Sequence, residues 1–226
     1  GAIALASKGY DAAMFELAVS SFVTFFVVID PPGMVPLFMS VVPGMDAAAR
    51  RRTAIRGTLA ATVILVAAAI AGGFVLEKLG ITLAAFRIAG GVLLLLLAID
   101  MVLARMSPLR TTAPVEEAES DSRHDVALVP LAIPLIAGPG AFASVILLMG
   151  RADNDPVAMA VVLGVLLGVM LILLGSLLAA SKVMDWLGMT GVAVLGRVFG
   201  IILAALAIQL IVTGVAESFP ALVAVG

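Results

Sequence analysis

The chain has 226 residues, of which 63% are hydrophobic and only 12% charged, and its formal net charge is −2. So little polar surface, with a mean hydropathy of +1.24, excludes an ordinary soluble domain, and the lack of basic excess removes nucleic acid as an expected partner. Cys is absent and the single histidine, His124, lies in a charged loop, which excludes thiol chemistry, disulfides and histidine-cluster metal centres. This is the composition of a polytopic membrane protein embedded in a lipid bilayer, with no cofactor or metal expected and no enzymatic activity.

A span needs about 20 mainly apolar residues, and six segments qualify. They are residues 14–42, 55–76, 81–104, 126–149, 157–180 and 190–215. The first runs past the length of a signal-peptide core, with no A-x-A pattern between its start at residue 14 and its break, so it reads as a retained span. Between the third and fourth spans lies a hydrophilic connector, 105–125, carrying Glu116, Glu117, Glu119 and Asp121 with Pro108 and Pro114. It is too polar to insert and joins two halves, 1–104 and 126–226.

The first span contains Asp30-Pro31-Pro32-Gly33-Met34-Val35-Pro36. Each proline removes a backbone donor and its ring clashes with the preceding turn, so a continuous helix cannot pass through. In hydrocarbon the freed backbone groups cost several kcal/mol unless protein or trapped water satisfies them. A break is therefore expected where the chain lines a cavity. The fourth span is broken in the same way, at Pro130, Pro134 and Gly138-Pro139-Gly140-Ala141.

Placing Pro32-Gly33 over Pro139-Gly140 aligns the two halves. Arg87-Ile88-Ala89-Gly90 then matches Arg197-Val198-Phe199-Gly200. Such self-similarity predicts an all-α membrane protein of six spans, built as two three-helix repeats with discontinuous first and fourth helices. Three spans is an odd number, so the second repeat is inverted. Lys and Arg near the span ends set the orientation. Arg50, Arg51, Arg52, Arg56, Arg105, Arg110, Arg123 and Lys182 fall on one side and Lys8, Lys78 and Arg151 on the other, which puts both termini outside the cytoplasm.

Asp30 is the first candidate for chemistry, since a charge within a span costs about 2.5–3.5 kcal/mol and normally faces the interior. It is read as a ligand for a substrate ammonium, a proton or Na+, or as a helix N-cap followed by proline at the first helical position. The half-helices opening at Pro32, Gly33 and Met34, and at Gly138, Pro139, Gly140 and Ala141, expose backbone N–H groups suited to a carboxylate. Thr24 and Ser144 are hydroxyls near the breaks that either face the cavity or bond their own helix carbonyls. Arg87 and Arg197 are read as structural or gating cations, or as side chains that snorkel to the interface. Pro31, Pro36 and Pro134 shape the breaks. The pairs Gly72-Gly73 and Gly90-Gly91 and the Gly164-x-x-x-Gly168 pattern permit close helix contact.

The two proline-glycine segments also carry a family resemblance. Asp30-Pro31-Pro32-Gly33-Met34-Val35-Pro36-Leu37-Phe38 resembles the first signature of the MarC family of bacterial inner-membrane proteins, and the Pro130 to Ala141 segment resembles its second. The Arg-x-x-Gly at Arg197 is similar too. The resemblance implies a six-span inner-membrane protein grouped with small neutral amino acid transporters. Members often have Asn where this chain has Met34, so a polar contact beside the first break is missing here.

The expectation is a secondary transporter of glycine- or alanine-like zwitterions, coupled to Na+ or H+, holding substrate at mid-membrane between the broken helices. The alternative is a channel or a regulatory membrane protein acting through partners. An intramembrane protease using Asp30 and Asp100 ranks last, because Asp100 is close to the end of its span and paired carboxylates must meet.

Overall fold

A computed structural model describes residues 2–42, 44–103, 136–153 and 155–219. Among these the regular structure is entirely helical: α1 (Ala2–Ile29), α2 (Pro31–Val41), α3 (Ala47–Lys78), α4 (Leu83–Val102), α5 (Pro139–Arg151), α6 (Pro156–Leu178) and α7 (Ala180–Ser218). Five stretches of the described residues are long and apolar enough to cross a membrane: Gly9–Met39, Ala47–Lys78, Leu83–Val102, Pro156–Leu178 and Thr190–Ser218. They fall on the first, second, third, fifth and sixth expected spans. The connector 105–125, the start of the fourth span (126–135) and with it Pro134 lie outside the described residues.

What is described of the fourth span is α5, which has 13 residues. At about 1.5 Å per residue it reaches roughly 20 Å, short of the roughly 30 Å hydrocarbon core. Its start lies inside the bundle, where Ile136, Ala137, Gly140 and Ala141 are buried.

The helices are apolar on their outer faces. Phe15, Leu59, Val63, Ile70, Phe74 and Leu171 are all exposed, an arrangement that suits lipid and not water. The buried stripe of α3 is instead made largely of small residues, Ala54, Gly57, Thr58, Ala61, Leu65, Ala69, Gly72 and Leu76. Their three- and four-residue spacing keeps them on one face, which α5 and α6 cover.

α4 and α7 pack along their length, and glycine sets the separation. A Cβ on Gly91 would lie 2.8 Å from the Ala207 carbonyl oxygen, one on Gly200 2.9 Å from Met101 Cβ, and one on Gly214 2.8 Å from the Ala84 carbonyl oxygen. Residue numbers that rise along one helix fall along the other, so the pair is antiparallel. Gly73, Gly164 and Gly168 meet open space instead, so the expected contact role holds for Gly72, Gly90 and Gly91 but not for them.

Two packing relations matter for the site. α2 lies against α6 and α7, whereas α5 lies against α3 and α4. α7 is interrupted at Gly188 (φ 63, ψ 173), which separates a leading segment from the span that starts at Thr190.

Candidate functional site

The first break is built by local chemistry. Asp30 ends α1 in the left-handed region (φ 52, ψ 63), which Asp tolerates better than most residues. Its carboxylate accepts a hydrogen bond from Gly33 N at 3.1 Å and so caps α2. Pro31 and Pro32 occupy the first helical positions, where a missing N–H is harmless. A Cβ on Gly33 would overlap Asp30 Oδ2, so glycine is what leaves room for the cap. Asp30 is only 2% exposed, and Met34 is fully buried in the core. Pro36 sits inside α2, removing the bond that the carbonyl of Pro32 would have accepted.

The second start differs. Gly138, with extended backbone (φ −78, ψ 172), precedes Pro139 at the head of α5, and no side chain caps this helix. Pro139 is exposed, while Gly140 and Ala141 are buried. The first turn closes through Phe142 N donating to the Gly138 carbonyl at 3.1 Å. A Cβ on Gly140 would lie 2.9 Å from Leu94 Cδ2 and 3.5 Å from Val28 Cγ1. Val28 is two residues before Asp30, so the two breaks come together inside the bundle.

Beside them lies a cavity of about 260 Å³. α1 contributes Ser20, Val23 and Thr24, α4 contributes Leu94, and α5 contributes Ser144, Leu147, Leu148 and Arg151. Leu203, Leu206, Gln209 and Leu210 of α7 close the remaining wall. Half of this lining is leucine, with five polar side chains set into it. Thr24 Oγ1 donates to the Ser20 carbonyl at 2.8 Å and Ser20 Oγ to the Leu17 carbonyl at 3.2 Å, which leaves both oxygens able to accept. Gln209 Nε2 donates to Thr213 Oγ1 at 3.3 Å. Ser144 is 2% exposed and its hydroxyl has no partner, a state that costs about 1–3 kcal/mol when nothing compensates it. The Ser21 and Thr58 hydroxyls are also buried without a partner, but neither borders this cavity.

Of the residues singled out from sequence, Thr24 and Ser144 border the cavity. Asp30, Pro32, Gly33, Met34, Gly138, Pro139, Gly140 and Ala141 do not; they form the two helix starts next to it. Leu94 belongs to both places, lining the cavity and abutting Gly140. Arg87 pairs with Glu217, tying the first turn of α4 to the last turn of α7. Arg197 is exposed. Arg151 has no local signal in the sequence, where it counts only as a loop charge. Its role depends on how α5 packs.

The end of the bundle near Arg151 is held by a further contact. Tyr10 OH donates to Asp155 Oδ2 at 2.7 Å. That bond, helped by the Val157 N–H at 3.0 Å, holds the Asp155 carboxyl below the usual carboxylate range. Among the described residues no three His, Cys, Asp or Glu side chains gather into a metal site.

The family model described as MarC family integral membrane protein matches residues 15–219, a range that includes both helix starts and every cavity residue. The chain belongs to the MarC family. MarC relatives include a UPF0056 membrane protein of Methanocaldococcus jannaschii, 37% identical over 91% of this chain and 97% of the relative. The UPF0056 membrane protein YhcE of Escherichia coli is 32% identical over 92% of this chain and 96% of its own length. YvbG of Bacillus subtilis, with the same description, is 32% identical over 92% of this chain and 99% of its own. No solved structure matches the chain.

Proposed function

We propose that this MarC-family protein is a secondary transporter of small neutral amino acids, glycine- or alanine-like, in the inner membrane. The observation that carries this reading is the leucine-walled cavity holding an unpartnered, buried Ser144 hydroxyl and the Arg151 side chain, next to a helix start without a cap. Its volume of about 260 Å³ is below the roughly 300–1,000 Å³ of pockets for drug-sized ligands, in keeping with a small substrate.

The polar groups divide by chemistry. Arg151 and the Ser144 hydroxyl are donors and take the substrate carboxylate. The oxygens of Ser20, Thr24 and Gln209 are acceptors and take the ammonium. The leucines exclude water and limit the side chain. Displacement of Leu94 then opens a route from the cavity to the first amides of α5, where the helix dipole favours an anion. At α2 that place is already filled by the Asp30 carboxylate. A coupling ion, Na+ or H+, belongs to the Asp30 break.

The same proposal takes the chain as six spans in two inverted repeats, 1–104 and 126–226. Support comes from exchanged packing partners: α2 lies on the second and third spans of the other half, as α5 does on those of the first. One repeat rocking against the other alternates access to the site. Arg50, Arg51, Arg52, Arg56 and Lys182 lie toward the cytoplasm by the positive-inside rule, and both termini lie outside.

The test is uptake of labelled glycine or alanine into proteoliposomes under imposed Na+ and proton gradients, repeated with Asp30→Ala. Saturable uptake that follows one gradient, and loses that dependence in the variant, supports the reading. Uptake that does not saturate and ignores both gradients indicates a channel, and no uptake at all a regulatory protein.

A further inference from the structure

At the end of the bundle remote from Arg151, a second cavity of about 430 Å³ opens between the end of α2, the start of α3, the end of α6 and the start of α7. Its polar lining includes Arg50, Arg51 and Ser181, and its apolar walls include Phe38, Leu177 and Leu178. Arg50 is half-buried and Arg51 exposed, and neither makes an ion pair with a described residue.

The charge here is locally unbalanced. Arg50, Arg51 and Arg52 all sit in the first two turns of α3, at the end where the helix dipole is positive and cations are disfavoured. The one acidic side chain at that start, Asp46, is engaged as the N-cap, accepting from Ala49 N at 2.6 Å. α7 opens at the same cavity without a side-chain cap. An anion between Arg50 and Arg51 relieves this imbalance.

We infer that this cavity binds the phosphate headgroup of an anionic phospholipid, with Arg50 and Arg51 as its cationic clamp. Guanidinium groups match phosphate oxygens in geometry as well as charge. A basic pocket between membrane helices is a site for acidic headgroups. The choice of a lipid over free phosphate rests on the other wall: Leu177 and Phe38 are buried beside the arginines while Leu178 is 46% exposed, giving acyl chains an apolar path out of the pocket. This inference is independent of the transport reading.

The experiment uses the full chain purified in detergent, titrated with phosphatidylglycerol in mixed micelles, with phosphatidylcholine and inorganic phosphate as comparators. Binding is followed by native mass spectrometry and thermal unfolding. Phosphatidylglycerol is expected to bind and raise Tm, and the other two are not. Removing both guanidiniums in R50Q/R51Q is expected to weaken phosphatidylglycerol binding about thirtyfold, since each basic group near an anionic headgroup contributes about a factor of five. Arg52→Gln, an exposed neighbour outside the cavity, leaves binding unchanged. Ser181→Asp keeps both arginines and puts a carboxylate at a helix start, where it is tolerated, so it serves if the double variant does not fold; it too weakens binding. Equal binding of the two lipids, competition by inorganic phosphate at the same concentration, or full binding in Ser181→Asp overturns the inference.

Discussion

The two interior helix starts, Asp30-Pro31-Pro32-Gly33 and Gly138-Pro139-Gly140-Ala141, share prolines and glycine but not charge. At the first, the chain supplies its own carboxylate to the head of α2, and Gly33 is shaped around it. At the second, Gly138 offers no side chain, and α5 begins uncapped beside a cavity that contains Ser144 and Arg151. The two starts thus differ in backbone as well as in charge, left-handed at Asp30 and extended at Gly138, and one is complete within the chain while the other keeps its first amides free of a side-chain cap. A single acidic side chain, Asp30, distinguishes the two starts.

The comparison can be broken most severely at Gly33. Replacing it by alanine puts a methyl group where the Asp30 carboxylate lies, losing the cap and displacing a buried charge. The expected loss is roughly 2–4 kcal/mol, read as a lower thermal midpoint in detergent. Gly140→Ala meets side-chain tips alone, Leu94 at 2.9 Å and Leu97 and Val28 at 3.5 Å, so about 1 kcal/mol is expected. Equal losses at the two glycines would remove the distinction.

Gly138→Asp converts the second start into a copy of the first. The extended backbone at Gly138 accepts any residue, and a carboxylate there caps α5 for about 1 kcal/mol of added stability. Uptake of a carboxylate-bearing substrate should fall by about tenfold or more, because the new side chain blocks the first amides of α5 that the carboxylate reaches from the cavity once Leu94 moves. A variant that is both stabilised and fully active would contradict the assignment. Ser144→Ala is the gentler probe. Removing a hydroxyl that has no partner leaves stability level or improves it by up to about 1 kcal/mol, while substrate affinity drops by roughly three- to tenfold.

The smallest expected effect concerns Asp155, which precedes the Pro156–Leu178 span. Tyr10→Phe removes the hydroxyl that holds the Asp155 carboxyl low. Because a depressed carboxyl stabilises the fold above its unfolded pKa of about 3.9 and ceases to do so as pH falls through its folded value, the variant loses a contribution present at neutral pH. Carboxyl-carbon NMR of Asp155 should show its titration move up toward the ordinary range. An unmoved titration would mean that the tyrosine is not the cause.

Much of this was legible in the sequence, and the reason is locality. An Asp-Pro-Pro-Gly run specifies an N-cap, two prolines free of their donors and a glycine making room, all within four residues, so the break at Asp30 could be read directly. Thr24 and Ser144 were legible because each lies one or two helical turns from a break. The five long spans followed from hydropathy. What could not be read depended on tertiary contact. Arg151 reaches the cavity only because α5 is short and packs against α1, α3 and α4. Leu94 separates the cavity from Gly140 only because α4 crosses there. Arg87 meets Glu217 across the antiparallel α4–α7 pair, a partner that no spacing within α4 reveals. The Gly188 interruption in α7 was hidden because the apolar run of the sixth span begins just after it.

The central claim is that the uncapped start of α5 and its neighbouring cavity recognise a carboxylate. The most direct measurement is competition for labelled alanine uptake in proteoliposomes by unlabelled alanine and by alaninamide, which keeps the ammonium and the methyl group but lacks the carboxylate. Loss of a charge-assisted interaction predicts that alaninamide competes roughly ten- to a hundredfold more weakly than alanine. Equal competition by the two compounds would contradict the account.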